Sequence, residues 1–352
     1  MRSSLLLALL ALCLGWFAGP ASSGSLASQS EVESIARKAT VAWLDTLGLA
    51  LEKQASFKME DEERRAWSNL PHTMFARQGV AFGQMNDAQR IAAHRMLRQI
   101  LSSGGYLRVT GIMRGDDILA SLFKKPNADS PDPYGHEYYW LGVFGDPRGE
   151  GAWGLQLDGH HLGINITASN GELRVTPTFL GGNPVEVPSG PYAGWRVLGQ
   201  LDELGLALYR SLSDEQRENA VIANKSPGDI LAGPTKAGLI GEQQGIPVAL
   251  LDREQRELVE QLVRDYVTTY RRELSAIAMH EFRKDLEDGV HFAWLGGGND
   301  QPYAYRIHGP RTWIEFSNAR GSGSDVVGMN HIHAVWRRLG DDYGDSLIAN
   351  SR

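Results

Sequence analysis

The 352-residue chain contains a single cysteine, Cys13, inside an apolar run near the N-terminus. If that run is removed, the mature protein has no disulfide, no thiolate nucleophile and no cysteine metal ligand, which a chain of this size tolerates because its core needs no staples. The run itself, Leu5–Phe17, is short of the ~20 residues of a spanning helix. No basic run or aromatic-basic patch is present, which excludes nucleic acid as a partner. The Gly-x-Ser-x-Gly elbow of serine hydrolases is absent, as are a His-Glu-x-x-His helix and an EF-hand loop. Gly296–Gly298 is not followed by Gly-Lys-Ser/Thr and so makes no phosphate loop.

What is present begins with a leader. Residues 1–23 place a basic Arg2 before the apolar run and small residues at Ala18, Ala21 and Ser23, the three-part design of a secretory signal peptide cleaved near Ala21–Ser23. This predicts a periplasmic or secreted protein with no stable membrane span after cleavage, and leaves its oligomeric state open. Losing Arg2 takes the formal charge from −7 to −8. With 42% hydrophobic and 22% charged residues, the remainder, 24–352, reads as a single globular domain.

The most patterned stretch is WGLQLDGHHLGINITASN, Trp153–Asn170. Leu155 and Leu157 alternate with Gln156 and Asp158, a Gly-His pair turns the chain, and Leu162, Ile164 and Ile166 alternate with polar or small residues. Period-two alternation around a turn predicts a β-hairpin with one buried face. Its polar face carries Gln156, Asp158, His161 and Asn165, while the direction of His160 in the turn is open. YAYRIHGPRTWIEF, Tyr303–Phe316, aligns with this stretch without a gap, Gly159 on Gly309 and Asp158 on His308. Trp-Leu-Gly precedes both hairpins, at Trp140–Gly142 and Trp294–Gly296. Helix, aromatic strand and hairpin thus occur twice, an internal duplication with a spacing of 150 residues and halves of about 31–200 and 201–352.

Helices fill the intervals. Ile35, Ala39, Trp43, Leu44 and Leu47 recur at helical spacing between Glu31 and Gln54. Asn86, Ser213 and Asp252 each stand three residues before a glutamine, Gln89, Gln216 and Gln255, which is the capping-box pattern of three helix starts. The first of these is expected to end near Ser102, before Gly104 and Gly105. The third carries Leu258, Leu262, Tyr266 and Tyr270 on one face and can run past Leu274. Lys225–Leu251, rich in Gly and Pro, reads as a long ordered connection, and a Gly/Ser loop spans Arg320–Gly328. The fold class is therefore α+β: antiparallel β-hairpins from two related halves, forming one or two sheets, packed with capped α-helices.

GHHLGIN at Gly159–Asn165, YRIHGP at Tyr305–Pro310, IEF at Ile314–Phe316, NHIHAVWR at Asn330–Arg337 and DDYG at Asp341–Gly344 together resemble the DUF3500 family of uncharacterised proteins. The resemblance spans nearly all of the mature chain in the same order. The family pattern has Trp-Arg-Asp before the acidic-aromatic-Gly motif and a histidine close to the C-terminus, where this chain has Arg338 and ends Asn350-Ser351-Arg352. No catalytic residue is implied by the resemblance, so chemistry rests on the side chains.

His331 and His333 are two apart, so on a strand they share a face. His161 and Glu315 are the candidates to complete a metal set with them, and neutral imidazole with carboxylate suits zinc, iron, copper or manganese. His160 and Asp158 are candidates to orient His161 by hydrogen bonds. Glu315 as a general base, with His308 as its acid and Arg306 holding an anionic group, is the candidate catalytic set. Against it stands an Arg306–Glu315 ion pair of purely structural use across the hairpin. His72, His94 and His280 read as loop, surface or packing residues, and Trp153, Trp294 and Trp313 as packing residues. Two functions remain: a metal-dependent hydrolase acting on a small-molecule or polymeric extracellular substrate, and a non-catalytic extracytoplasmic binding protein for an anionic or metal-bearing ligand. Arg306 and Arg311 would be the centre of the anion-binding alternative.

Overall fold

The structure, a computed structural model, describes residues 26–122, 127, 129–297, 301–320 and 330–350. The leader and most of the Gly/Ser loop lie outside the described residues. Elements run in the order α1 (Gln29–Ala55), β1 (Ser56–Phe57), β2 (Val80–Ala81), α2 (Asp87–Ile100), α3 (Ser103–Leu122), β3 (Tyr139–Gly145), β4 (Trp153–Gly159), β5 (Leu162–Ser169), β6 (Glu172–Arg174) and β7 (Thr178–Gly182). There follow α4 (Gly199–Ser211), α5 (Asp214–Ala220), β8 (Val221–Ala223), β9 (Ile246–Pro247), α6 (Arg253–Val267), α7 (Arg272–Asp288), β10 (His291–Gly296), β11 (Tyr303–His308), β12 (Thr312–Arg320), β13 (Asn330–Arg338) and α8 (Asp345–Ala349). The fold is α+β, with all thirteen strands in one mixed, mostly antiparallel sheet.

The sheet order is β1-β3-β4-β5-β7-β13-β12-β11-β10-β8, so the chain's two halves meet at the β7–β13 pair. Outward from that seam each half presents the same succession: a hairpin, a third antiparallel strand, and a short outermost strand that pairs in parallel. The hairpin registers also agree. Gln156 pairs with Asn165 and Asp158 with Gly163; Arg306 pairs with Glu315 and His308 with Trp313. The Trp-Leu-Gly repeats do not occupy matching places. Trp140 pairs with Asp158, whereas Trp294 pairs with Tyr305, a position on the opposite face of the sheet.

One face of the sheet is covered by helices. Tyr139, Leu141, Leu157, Ile164, Leu180, Ala334, Ile314, Tyr305 and Trp294 join Trp43, Leu97, Val109, Leu208 and Tyr266 of the helices in the main core. The hairpins' other face is buried too, contrary to the one-faced burial expected from alternation: every residue of β4 and β5 is buried. Chain outside the sheet covers it, and a second apolar cluster forms there from Trp67, Phe179, Ile230, Ala232, Trp313, Val335 and Tyr343. Arg337 holds part of that cover, donating to the carbonyls of Ala232 and Gly233 and pairing with Asp342 at 2.6 Å.

The helix starts at Asn86, Ser213 and Asp252 carry complete capping boxes, and Ser28 with Glu31 forms a fourth. Two helix ends differ from expectation. Gly104 and Gly105 do not stop the chain from being helical; they open α3, because a Cβ on Gly105 would lie 1.8 Å from the Thr269 carbonyl oxygen and only glycine admits that approach. The helix after Asp252 stops at Val267, and Tyr270 bridges to Leu101 before α7 begins. Among the described residues no helix is long and apolar enough to cross a membrane.

Candidate metal centre

The turn between β4 and β5 is two residues long, His160 and His161, closed by the Gly159–Leu162 pair. His161 sits in the left-handed region at φ 66°, uncommon for a residue with a Cβ. Its carbonyl accepts from the Gly181 N–H of β7 at 2.7 Å, so the turn is stitched to the seam strand. A Cβ on Gly181 would meet His161 Cδ2 at 2.9 Å and Cβ at 3.1 Å. The absent side chain at Gly181 is therefore what gives the imidazole its place.

Strand β13 supplies the rest. Gly181 pairs with His333, and His331 lies two residues back on the same face. His161 Nε2 and His331 Nε2 are 2.7 Å apart. Ring centroids of His331 and His333 are 4.4 Å apart, and those of His161 and His333 5.4 Å. One nitrogen from each of the three lies within 4.8 Å of the others. His333 Nδ1 is held 2.6 Å from Asp229 Oδ1, which turns Nε2 away from the carboxylate; that Nε2 is buried with no hydrogen-bond partner. Ser317, the cross-strand partner of His333, also has a buried Oγ without a partner.

Behind this trio stands a second group. His160 packs against His161 with ring centroids 3.6 Å apart, and its Nδ1 lies 2.8 Å from Asp116 Oδ1 of α3. Tyr139 donates to the other oxygen of Asp116 at 3.1 Å. Asp116, His160 and His161 also satisfy the spacing of a ligand group, with His161 common to both sets. Burial, reinforced by the imidazoles of His160, His331 and His333, holds His161 well below the ordinary imidazole range. Burial, with His333 and His160, does the same to His331. Both rings are neutral at pH 7, the form that ligates a metal.

The other candidate residues lie elsewhere. Glu315 does not join the histidines: Ser317 stands opposite His333, and Glu315 two residues on stands opposite Val335. Both of its oxygens are engaged, Oε1 by Arg306 Nε at 2.9 Å and Oε2 by the Ala232 N–H at 2.9 Å, and the residue is fully buried. The structural ion pair is what the geometry shows. His308 packs edge-on against Trp313, four residues along β12 from Ser317, which at ~3.3 Å per residue is about 13 Å from the His333 row. Arg311 is turned outward to Asp285 and Asp288. Asp158 makes no hydrogen bond to His161. Its carboxylate accepts from Arg77 Nε at 2.8 Å and from the Ser68 N–H at 3.2 Å, and burial still pushes it up to about 7.

Asp116, Asp229 and Arg77 carry no signal in the sequence. Asp116 lies in a helix hidden by two glycines, and Asp229 in a Gly/Pro-rich stretch, Lys225–Leu251, where nothing periodic fixes a direction. Asn69, whose Nδ2 is 3.4 Å from His333 Nδ1, is equally silent.

No curated protein and no solved structure matches the chain. The family model described as "Protein of unknown function (DUF3500)" matches residues 28–345. That span takes in both hairpins, the histidine trio and the two carboxylates that orient imidazoles around it, so the chain belongs to the DUF3500 family.

Proposed function

We propose that the protein is an exported metal-dependent hydrolase whose metal is held by His161, His331 and His333. The observation that carries the reading is the unpartnered, buried Nε2 of His333, fixed by Asp229 and facing two neutral imidazoles. A carboxylate behind a ligating histidine sets its tautomer and raises its basicity. Three protein nitrogens leave a fourth position for water, the arrangement of catalytic rather than structural zinc sites. A divalent metal there would lower the pKa of that water and polarise a bound carbonyl or phosphoryl oxygen. The Nε2 separation of His161 and His331, 2.7 Å, is shorter than the ~3.3 Å implied by tetrahedral bonds of ~2.0–2.1 Å, so the rings part slightly on loading. His160 is the residue placed to accept or return a proton, because Asp116 anchors its Nδ1. Export rests on the leader at residues 1–23.

Metal analysis of protein purified without an affinity tag tests the reading. One zinc, iron, copper or manganese per chain is expected, with loss of the metal in His331→Ala and His333→Ala while both variants stay folded. Loaded wild-type protein should hydrolyse at least one ester, amide or phosphoester in a substrate screen, and the variants should not. A chain that takes up no metal on reconstitution sinks the proposal; a stoichiometric metal without hydrolysis favours a binder of metal-bearing ligands.

A further inference from the structure

The second hairpin also borders a cavity, on the same face of the sheet and away from the histidine trio. It has a volume of about 440 Å³ and is lined by Arg306, His308, Trp313, Ala293, Leu231 and Leu239 among others. The size is that of a small-molecule site. Its roof is pinned by Gln243, which donates to the carbonyls of Gly289 and His308 at 2.9 and 2.8 Å.

The polar groups around it are unspent donors. Trp313 is 3% exposed, and its buried Nε1 has no partner. Arg306 gives Nε to Glu315, and its terminal nitrogens make no hydrogen bond to the described residues. Its guanidinium carbon lies 5.5 Å from the centre of the Trp313 ring, and His308 packs edge-on against that ring with centroids 4.9 Å apart. Guanidinium, indole N–H and imidazole are thus contiguous. Acceptors are scarce. Glu315 has both oxygens engaged, and Glu242 is exposed at the margin.

From this we infer a second binding site, for a small organic monocarboxylate with an apolar body. The carboxylate takes the free N–H groups of Arg306 and Trp313, and the apolar part lies against Leu231, Leu239 and Ala293. Charge argues for a monoanion. Arg306 is already shared with buried Glu315, so a dianion such as phosphate or sulfate would enter with its second charge uncompensated. The site is independent of the metal reading, since none of its residues belongs to the trio.

Calorimetric titration of the untagged full chain with benzoate, with sulfate as the control anion, tests it. Saturable one-to-one benzoate binding is expected, with little or none for sulfate. Trp313→Phe keeps the ring and removes the N–H, and should weaken benzoate about tenfold or more. Leu239 is largely exposed, so Leu239→Trp fills the mouth without touching the core and should abolish binding. The His331→Ala/His333→Ala double variant should bind benzoate as the wild type does, even if the metal reading fails. Absence of saturable binding, equal affinity for sulfate, or unchanged affinity in both Trp313→Phe and Leu239→Trp would overturn the inference.

Discussion

Hairpins β4–β5 and β11–β12 are built to one plan and furnished differently. Both close on a two-residue turn, and in both the carbonyl of the second turn residue accepts an N–H from chain at the seam: His161 from Gly181, Arg311 from Leu339. The turns lie at opposite ends of the seam. The first meets the chain entering β13, which brings His331 and His333. The second meets Val175-Thr176-Pro177, entering β7, which brings no imidazole, and Arg311 turns instead to Asp285 and Asp288 of α7. Neither turn alone makes the cluster. It forms where a histidine in a turn and two histidines on the seam strand arrive together.

The same contrast holds for the buried charges. On the first hairpin the carboxylate of Asp158 is neutralised from outside the sheet by Arg77; on the second, Glu315 is neutralised from the next strand by Arg306. Removing either arginine strands a buried carboxylate, which costs about 3–5 kcal/mol. Arg77→Met and Arg306→Met should therefore lose the most stability in urea denaturation. They should part company over metal: Arg77→Met disturbs the strand leading into His160 and weakens binding, whereas Arg306→Met leaves it intact. If Arg306→Met also lost the metal, the hairpins would not be separate units.

An intermediate effect is expected at β7. Gly181→Ala drives a methyl into the His161 ring and the Ile332 carbonyl, with contacts of 2.9–3.1 Å, and should cost about 1–3 kcal/mol while lowering zinc affinity in a competition titration. The neighbouring Gly182→Ala meets nothing nearer than 3.7 Å and should change both far less. Equal effects would mean that crowding of His161 is not the cause.

The smallest effects compare like with like. Asn86 and Asp252 cap the helices that follow β2 and β9, each in a complete box with its glutamine. Asn86→Ala and Asp252→Ala should each lower stability by about 1 kcal/mol, and the double variant by the sum, since the sites share no partner. A double variant well away from the sum in urea denaturation would show the two halves coupled through their caps.

Much of this was legible because it is local. Capping boxes read true because an orphan N–H and a side chain three residues away settle the matter within one turn of helix. The hairpins and their register were visible because alternation and a turn glycine specify which residues face each other. His331 and His333 fell on one face for the same reason. Local signals failed where distant chain decided the outcome. Gly104 and Gly105 looked like a helix end, but close packing on Thr269 made them a helix start, and α3 with Asp116 went unseen. Tyr270 continued a helical stripe in sequence, yet contact with Leu101 took it into a break.

The sequence by itself determined the class of fold, the helix starts and the chemical kind of side chain available, because propensity and periodicity act over a few residues. It also set His161 in a tight turn and a pair of histidines on one strand. Only tertiary structure decided that these three meet across the β7–β13 seam, that Asp229 and Asp116 stand behind the imidazoles, and that Glu315 is spent on Arg306. Those outcomes depend on strand order and on which loop covers which face. Such choices are made by packing between segments more than a hundred residues apart, and no window of sequence carries them.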